Sequence, residues 1–193
     1  MANRISRTAL GDAPLSSAKK PDARAAAPDI RAEQGDTLVA HTVAINRPRE
    51  ELYAFWRDFA NLPAFMENVR SVTCEDERHS HWVIAAPGNR EVEWRAAITE
   101  DVPNERIAWA SLPGADVRNS GAVNFRESAN GRGTVVTVTI AYDPPAGGVG
   151  RLVAKLFHRE PKIQARQDLR RFKQLMETGE IPTAAPPAAA PRA

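Results

Sequence analysis

Histidine and cysteine, the residue types most often found in acid–base and zinc sites, are few in this sequence, with four and one copies. His79 and His81 stand two residues apart at the start of a strand-like segment, so their side chains would share one face. A zinc site needs three or four ligands at suitable spacing, and no further set of histidine and carboxylate residues accompanies this pair. We therefore interpret both residues as solvated histidines, and we expect no metal and no cofactor.

Motifs for phosphate binding or nucleophilic catalysis do not occur either. The segment Gly147-Gly148-Val149-Gly150 lacks the Lys-Ser/Thr that completes a phosphate-binding loop. No serine stands in a nucleophile elbow. Cys74 is the single cysteine, so it permits neither a disulfide within the chain nor a cysteine-based zinc cluster. No catalytic residue is identified, and an enzyme is the less favoured alternative.

Large apolar side chains are the better candidates for a functional site, because they could line a space for an apolar molecule. Small-molecule sites are concave and mostly apolar, with a few polar groups that orient the ligand. The candidates come from the predicted strands and the terminal helix: Trp94, Ile98, Trp109, Phe125, Val138, Leu156, Phe172 and Met176. The same side chains could instead fill a solid core, and both alternatives stand on the residues alone.

Seven segments with strand character would hold these side chains. Residues 91–100 alternate most clearly, with Val92, Trp94, Ala96 and Ile98 on one face and mainly charged residues between them. The segments, in chain order, are 37–45, 69–77, 81–86, 91–100, 107–112, 121–127 and 133–142. Strands that follow one another through short turns predict an antiparallel sheet.

Two helices are predicted around these strands. Asn46 as a cap and Pro48 near the first position favour a helix start. The helix would bury four apolar residues at helical spacing, namely Leu52, Phe55, Trp56 and Phe59. A second, longer helix is predicted over 149–178, with a kink or break next to Pro161 and with Gly179 as its C-terminal cap.

The composition of the 193-residue chain changes at both ends. Residues 1–36 contain no run of large apolar side chains, and residues 181–193 are alanine or proline at 10 of 13 positions, so both are predicted to be disordered tails. Residues 37–180 are predicted to form one α+β domain, a curved antiparallel sheet of six to seven strands around the long helix. Neither a signal-peptide pattern nor a membrane-spanning stretch occurs, so a cytoplasmic location is expected.

The terminal helix is predicted to be basic. Residues 150–180 contain eight Lys/Arg and four Asp/Glu, whereas residues 37–149 contain 11 and 15. Seven basic residues would form a stripe along the helix: Arg151, Lys155, Arg159, Lys162, Arg166, Arg170 and Lys173. One interpretation is a solvated helix face, and the other is a surface that docks on the ribosome, RNA or an anionic membrane. DNA is not an expected partner.

Three stretches resemble a known superfamily. The segments FWRDF (55–59) and LPAFM (62–66) are similar to the helix and elbow of bacterial polyketide cyclase/dehydrase-like proteins. Residues from VEW (92–94) to PNERIAW (103–109) resemble their central hairpin, and DLRRFK (168–173) resembles their terminal helix. These proteins belong to the START-like, or Bet v 1-like, superfamily. The resemblance covers nearly all of residues 37–180.

The resemblance implies a helix-grip fold, in which the sheet wraps around the C-terminal helix and a short helix pair follows the first strand. It also implies an apolar ligand, such as a lipid, a quinone or a polyketide-like molecule, held between the sheet and that helix. A non-catalytic carrier or sensor is the first functional hypothesis. The second is a cyclase/dehydrase acting on a polyketide-like substrate, and the third is a docking module that uses the basic helix. One fold hosts many functions, so the resemblance does not choose among them.

Overall fold

The computed structural model describes residues 37–86, 88–115, 117–129, 131–143 and 161–181. The predicted tails, apart from Ile181, and the predicted helical stretch 149–160 lie outside these residues. Within the described part, the element order is the predicted one: a strand, a short helical segment, six strands and a C-terminal helix.

Seven antiparallel strands form one curled sheet. In spatial order the strands run β1-β7-β6-β5-β4-β3-β2, so the first strand pairs with the last and the other neighbours are consecutive in the chain. Their bounds are β1 Thr37–Ile45, β2 Val69–Cys74, β3 His79–Ala86, β4 Arg90–Val102, β5 Arg106–Ser111, β6 Arg118–Glu127 and β7 Thr134–Asp143. The predicted α+β helix-grip fold is confirmed.

The inner face of the sheet follows the two-residue period of the sequence. Trp82 and Ile84 are buried on β3, and Val92, Ala96 and Ile98 are buried on β4. On the outer face the alternate positions are more exposed and, on β4, mostly charged, as at Glu91, Glu93 and Arg95. The pattern therefore fixes which side chains of each strand face the C-terminal helix.

Helix α1 spans Arg49–Arg57, and its predicted start at Asn46 is wrong. Pro48 occupies the N-cap position, and no side chain caps the helix there. The backbone N–H of Asn46 instead donates a hydrogen bond to Glu177 Oε1 over 2.7 Å. The backbone of Asn46 is therefore hydrogen-bonded to the last turn of the C-terminal helix, and α1 begins only after Pro48.

A 3-10 helix, Phe59–Ala64, follows α1 after a sharp break at Asp58. The side chain of Asp58 accepts a hydrogen bond from the N–H of Ala60 over 3.1 Å, which satisfies one free donor at the start of this second segment. The break re-aims the chain so that Phe59 and Leu62 are buried against the sheet. The short helix pair predicted after the first strand is therefore present.

Helix α2 spans Pro161–Thr178. A proline suits the first helical position, where its missing N–H leaves no hydrogen bond unmade. At the other end Gly179 has φ +77° and donates its N–H to the carbonyl oxygen of Leu175 over 2.8 Å, so the predicted C-terminal cap is confirmed. Arg47 also donates to the carbonyl oxygens of Met176 and Glu177, over 2.7 and 3.2 Å.

An aromatic cluster joins α2 to α1 and to the 3-10 helix. Phe172 is fully buried, with its ring centre 5.0 Å from that of Trp56 and 4.8 Å from that of Phe65. Leu169 and Met176 extend the contact along the same face of α2. The C-terminal half of α2 is therefore seated in the core, which leaves its first half to cover the rest of the inner sheet face.

Candidate functional site

An apolar cavity of about 140 Å³ lies between the inner face of the sheet and the first half of α2. Its sheet side is formed by residues from all seven strands and by the residue before β6, namely Val39, Val69, Trp82, Ile84, Trp94, Trp109, Val117, Asn119 and Ile140. Met66 and Asn68, which precede β2, close one side. Gln164, Ala165 and Asp168 line the cavity from α2.

Three tryptophans dominate the sheet side of the cavity. Trp82 and Trp94 are paired across β3 and β4, and their rings lie nearly parallel, at 13° with centres 6.3 Å apart. Trp82 Nε1 donates to Ser80 Oγ over 2.9 Å, which fixes the orientation of that indole ring. The two rings thus present stacked aromatic faces, because directly paired residues of an antiparallel sheet project to the same side.

Trp109 is placed by a glycine. On the neighbouring strand it is paired with Gly121, and a Cβ atom built at Gly121 would lie 2.7 Å from Trp109 Cε2 and still nearer to Cζ2. Ordinary contact begins at about 3.4 Å, so the indole ring can lie flat over β6 only because residue 121 has no side chain. Phe59 holds the other side of the ring in an edge-to-face contact, with ring centres 5.9 Å apart.

Asp168 is the one titratable side chain among the described residues that line the cavity. Its Oδ1 accepts three hydrogen bonds: from the backbone N–H of Glu67 (3.3 Å), from Gln164 Nε2 (3.0 Å) and from the Arg171 guanidinium (3.2 Å). Burial is the largest influence on this group and raises its pKa from 3.8 to about 6, against the hydrogen bonds and the charge of Arg171, which lower it. The carboxyl group therefore exchanges its proton near neutral pH.

The predicted lining residues divide into two groups. Trp94 and Trp109 line the cavity. Five others belong to the hydrophobic core, and none of them is among the residues that line this cavity: Ile98, Phe125, Val138, Phe172 and Met176. Two of them pack against Trp56 of α1, with ring centres 6.4 Å away for Phe125 and 5.0 Å away for Phe172. Leu156 lies outside the described residues.

Trp82 and Asp168 line the cavity and were not among the predicted lining residues. Trp82 alternates with Ile84 on β3 and shares the inner face with Trp94, so strand pairing would have identified it. Asp168 stands three residues after Ala165 and four before Phe172, which places a carboxylate on the apolar face of the helix. An acidic residue at such a position is the signal that was available in the sequence.

His79 and His81 are not among the residues that line the cavity, because on β3 they alternate with the buried side chains of Ser80 and Trp82. His79 Nδ1 lies 2.8 Å from Asp76 Oδ2, and His81 Nε2 lies 3.2 Å from Glu93 Oε2. Both residues are partly exposed. In the part of the chain that the structure describes, no group of three or more metal-ligating side chains is brought together.

The structure describes the side chains of only three of the seven residues in the predicted basic stripe, namely Arg166, Arg170 and Lys173. Arg151, Lys155 and Arg159 lie outside the described residues, as does the side chain of Lys162. Arg166 and Arg170 are exposed on α2. Lys173 is engaged within the fold, because its ammonium group donates to the carbonyl oxygen of Ala44 and to Glu177 Oε1, over 2.7 Å in each case. Among the helices described, none is long and apolar enough to cross a membrane.

A curled seven-stranded sheet that wraps a C-terminal helix, with an apolar cavity between the two, defines a protein of the helix-grip class. The comparison with protein families agrees with this. The family model described as polyketide cyclase / dehydrase and lipid transport matches residues 45–170. The chain belongs to this family.

Three relatives illustrate the range of similarity. The crystal structure of DR_A0006 from Deinococcus radiodurans is 43% identical, with a TM-score of 0.62, and the match covers 75% of this chain and 100% of that one. An uncharacterized 17.2 kDa protein of Streptomyces lincolnensis is 28% identical over 141 residues, 72% of this chain and 89% of its own. The Zhui aromatase/cyclase from Streptomyces has the same fold at 15% identity, with a TM-score of 0.56 and coverage of 75% and 98%.

Proposed function

We propose that this protein is a non-catalytic carrier or sensor that binds a small apolar molecule in the cavity between the sheet and α2. The observation that carries the proposal is the apolar cavity lined by Trp82, Trp94 and Trp109. Three indole rings supply large apolar faces on which a planar ligand can stack. A lipid, a quinone or a polyketide-like molecule could place its apolar part there.

The volume of the cavity limits what it encloses. An engineered protein cavity of about 150 Å³ stays dry and accepts benzene, so about 140 Å³ suits a group the size of one aromatic ring. A long acyl chain or a multi-ring polyketide would exceed this volume. The ligand is therefore a single-ring molecule, or a larger one that inserts a ring-sized part.

The composition of the lining supports carriage over catalysis. Cyclisation or dehydration requires proton transfer to and from the substrate by positioned groups. Asp168 is the only titratable residue among the described lining residues, and three N–H groups already bind one of its oxygens. A cavity with this lining can hold and orient a ligand, but it offers only one side chain that could transfer a proton to or from that ligand.

A cyclase/dehydrase is the second candidate, and Asp168 is the observation that favours it. Burial raises the pKa of this carboxyl group to about 6, which suits a group that accepts and returns a proton near neutral pH. Incubation with a linear polyketide analogue, followed by product analysis, separates the two candidates. Cyclised product that disappears in Asp168→Asn would favour the enzyme, and unchanged analogue favours the carrier.

The binding proposal is tested by filling the cavity. Toluene titration, followed by NMR, is expected to show saturable binding to the wild-type chain. Ala165→Phe places a ring in the space that Ala165 leaves open, so it should abolish binding. Gln167→Phe adds the same ring at an exposed position of α2 and should leave binding intact. Equal binding by both variants, or no binding by the wild type, would overturn the proposal.

The native ligand is identified by a separate measurement. Native mass spectrometry of the full chain, before and after organic extraction, should show a bound mass that extraction removes. The docking of the basic helix on the ribosome, RNA or an anionic membrane stays a prediction, because most of its basic residues lie outside the described part of the chain.

A further inference from the structure

The two oxygens of Asp168 differ in what they contact. All three hydrogen bonds to the carboxylate end on Oδ1, and no donor from the described residues reaches Oδ2. The Asp168 side chain lines the cavity, and 16% of its surface is exposed. A carboxylate has about four acceptor sites on its two oxygens, so Asp168 keeps acceptor capacity that the described part of the protein does not use.

The charges around Asp168 disfavour an anionic ligand. Arg171 lies 2.8 Å from Glu67 Oε2 and 3.2 Å from Asp168 Oδ1, so one guanidinium faces two carboxylates. The cluster of Glu67, Asp168 and Arg171 thus carries a net charge of about −1 when all three are ionised. No cation is found among the other described lining residues, so a ligand carboxylate would meet a like charge.

An uncharged hydrogen-bond donor fits this arrangement. A cationic amine would lose its hydration on entering a space lined mainly by apolar side chains, which is costly. A hydroxyl group loses far less, and it can donate to the free acceptor sites of the carboxylate. The fixed hydrogen bonds to Oδ1 hold the carboxyl group in place for such a contact.

We infer that the ligand of this cavity carries a hydroxyl group on its ring-sized apolar part, and that this hydroxyl donates a hydrogen bond to Asp168 Oδ2. The inference rests on the proposed function and adds the chemical class of the ligand. It separates phenols and cyclic alcohols, which should bind, from fatty and aromatic acids, which should not.

Three monocyclic probes test the inference: toluene, p-cresol and benzoate. Burying a hydroxyl group without a partner is unfavourable, so p-cresol would bind more weakly than toluene if no acceptor met it. With Asp168 as acceptor the order reverses, and p-cresol should bind the wild-type chain about tenfold more tightly than toluene at neutral pH. Benzoate should bind more weakly than both.

Asp168→Asn provides the matched variant. It keeps the shape of the side chain and removes the charge, so the ratio of p-cresol affinity to toluene affinity should fall from about tenfold to about one. The amide NMR spectrum of the variant, compared with that of the wild type, shows separately whether the variant is folded. If its folding were impaired, the order of the three probes on the wild-type chain would still decide the question.

The outcomes separate the two proposals. If none of the probes binds the wild-type chain, the proposed function and this inference fall together. If toluene binds and p-cresol binds no better, or if benzoate binds as well as p-cresol, the cavity is a binding site and the hydroxyl inference alone is overturned.

Discussion

The close approach of Trp109 to Gly121 can be tested by adding one methyl group. In Gly121→Ala the new Cβ would stand 2.7 Å from Trp109 Cε2 and closer still to Cζ2, so the ring must move by about 1 Å to restore normal contact. The ring is only 6% exposed and has Phe59 against it, so it can yield only by displacing Phe59 or by moving into the cavity that it lines. Gly121 itself has no positive φ, so alanine brings no backbone strain.

The expected loss of stability follows from two opposing effects. Overpacking a well-filled site costs about 1–3 kcal/mol. Replacing glycine by alanine restores about 0.4–1 kcal/mol, because it restricts the unfolded chain. Gly121→Ala should therefore lower the free energy of unfolding by about 1–2 kcal/mol. In urea denaturation the midpoint should fall by about 0.5–1 M with an unchanged slope.

A double-mutant cycle supplies the control. In a Trp109→Leu background the ring is gone, so Gly121→Ala should be neutral or slightly stabilising, and the two changes should couple by more than about 1 kcal/mol. Equal destabilisation in both backgrounds would refute the proposed contact. So would an increase in the stability of the wild-type protein on Gly121→Ala alone.

Three further changes test other parts of the fold. Phe172→Ala empties the centre of the aromatic cluster and should lower the free energy of unfolding by about 3–5 kcal/mol in urea; a loss below about 1 kcal/mol would contradict the buried position of α2. Gly133→Ala should destabilise much more than Gly131→Ala, although both glycines have positive φ, because only at Gly133 would a Cβ strike backbone, 2.7 Å from Asn46 Cα; equal thermal midpoints would contradict that contact. The pKa of Asp168 is raised from 3.8 to about 6 in the folded chain, so its stabilising contribution is full below about pH 4 and is lost as the pH rises through 6. The stability of the wild type relative to Asp168→Asn should accordingly fall by about 2–3 kcal/mol between about pH 4 and pH 7, and a constant difference would contradict the burial of this group.

The fold was predictable because its signals are local and repeated. The run of β-branched residues in β7 Thr134–Asp143 and the clear two-residue period of β4 Arg90–Val102 identify strands without reference to the rest of the chain. Gly179 likewise marks a helix end by its own conformational freedom. The start of α1 was placed two residues too early, because Asn46 is a favoured capping residue although Pro48 holds the N-cap position. The backbone N–H of Asn46 bonds to Glu177, a partner distant in the sequence.

The site was only partly predictable, because alternation identifies the inner face and does not say which part of that face stays uncovered. Trp109 and Phe125 both face inward, yet Trp56 packs against Phe125, while Trp109 is left along the cavity. Trp109 is covered on one side only, because Phe59 of the 3-10 helix packs against its ring and the cavity lies along the rest of it. The packing of the helical segments on the sheet depends on residues distant in the sequence. The sequence alone therefore predicts which side chains lie on the inner face, and it does not predict which of them line the cavity.

The central claim is that the space between the sheet and α2 takes up a ring-sized apolar molecule. It is tested most directly by measuring nuclear Overhauser effects between bound toluene and the assigned protons of the full-length protein. We predict magnetisation transfer from the toluene methyl group to the indole protons of Trp94 and Trp109 and to the methyl group of Ala165. The two indole rings line the cavity from the sheet, and Ala165 lines it from α2. Saturable binding with transfer only to residues outside this lining, or no transfer at all, would contradict it.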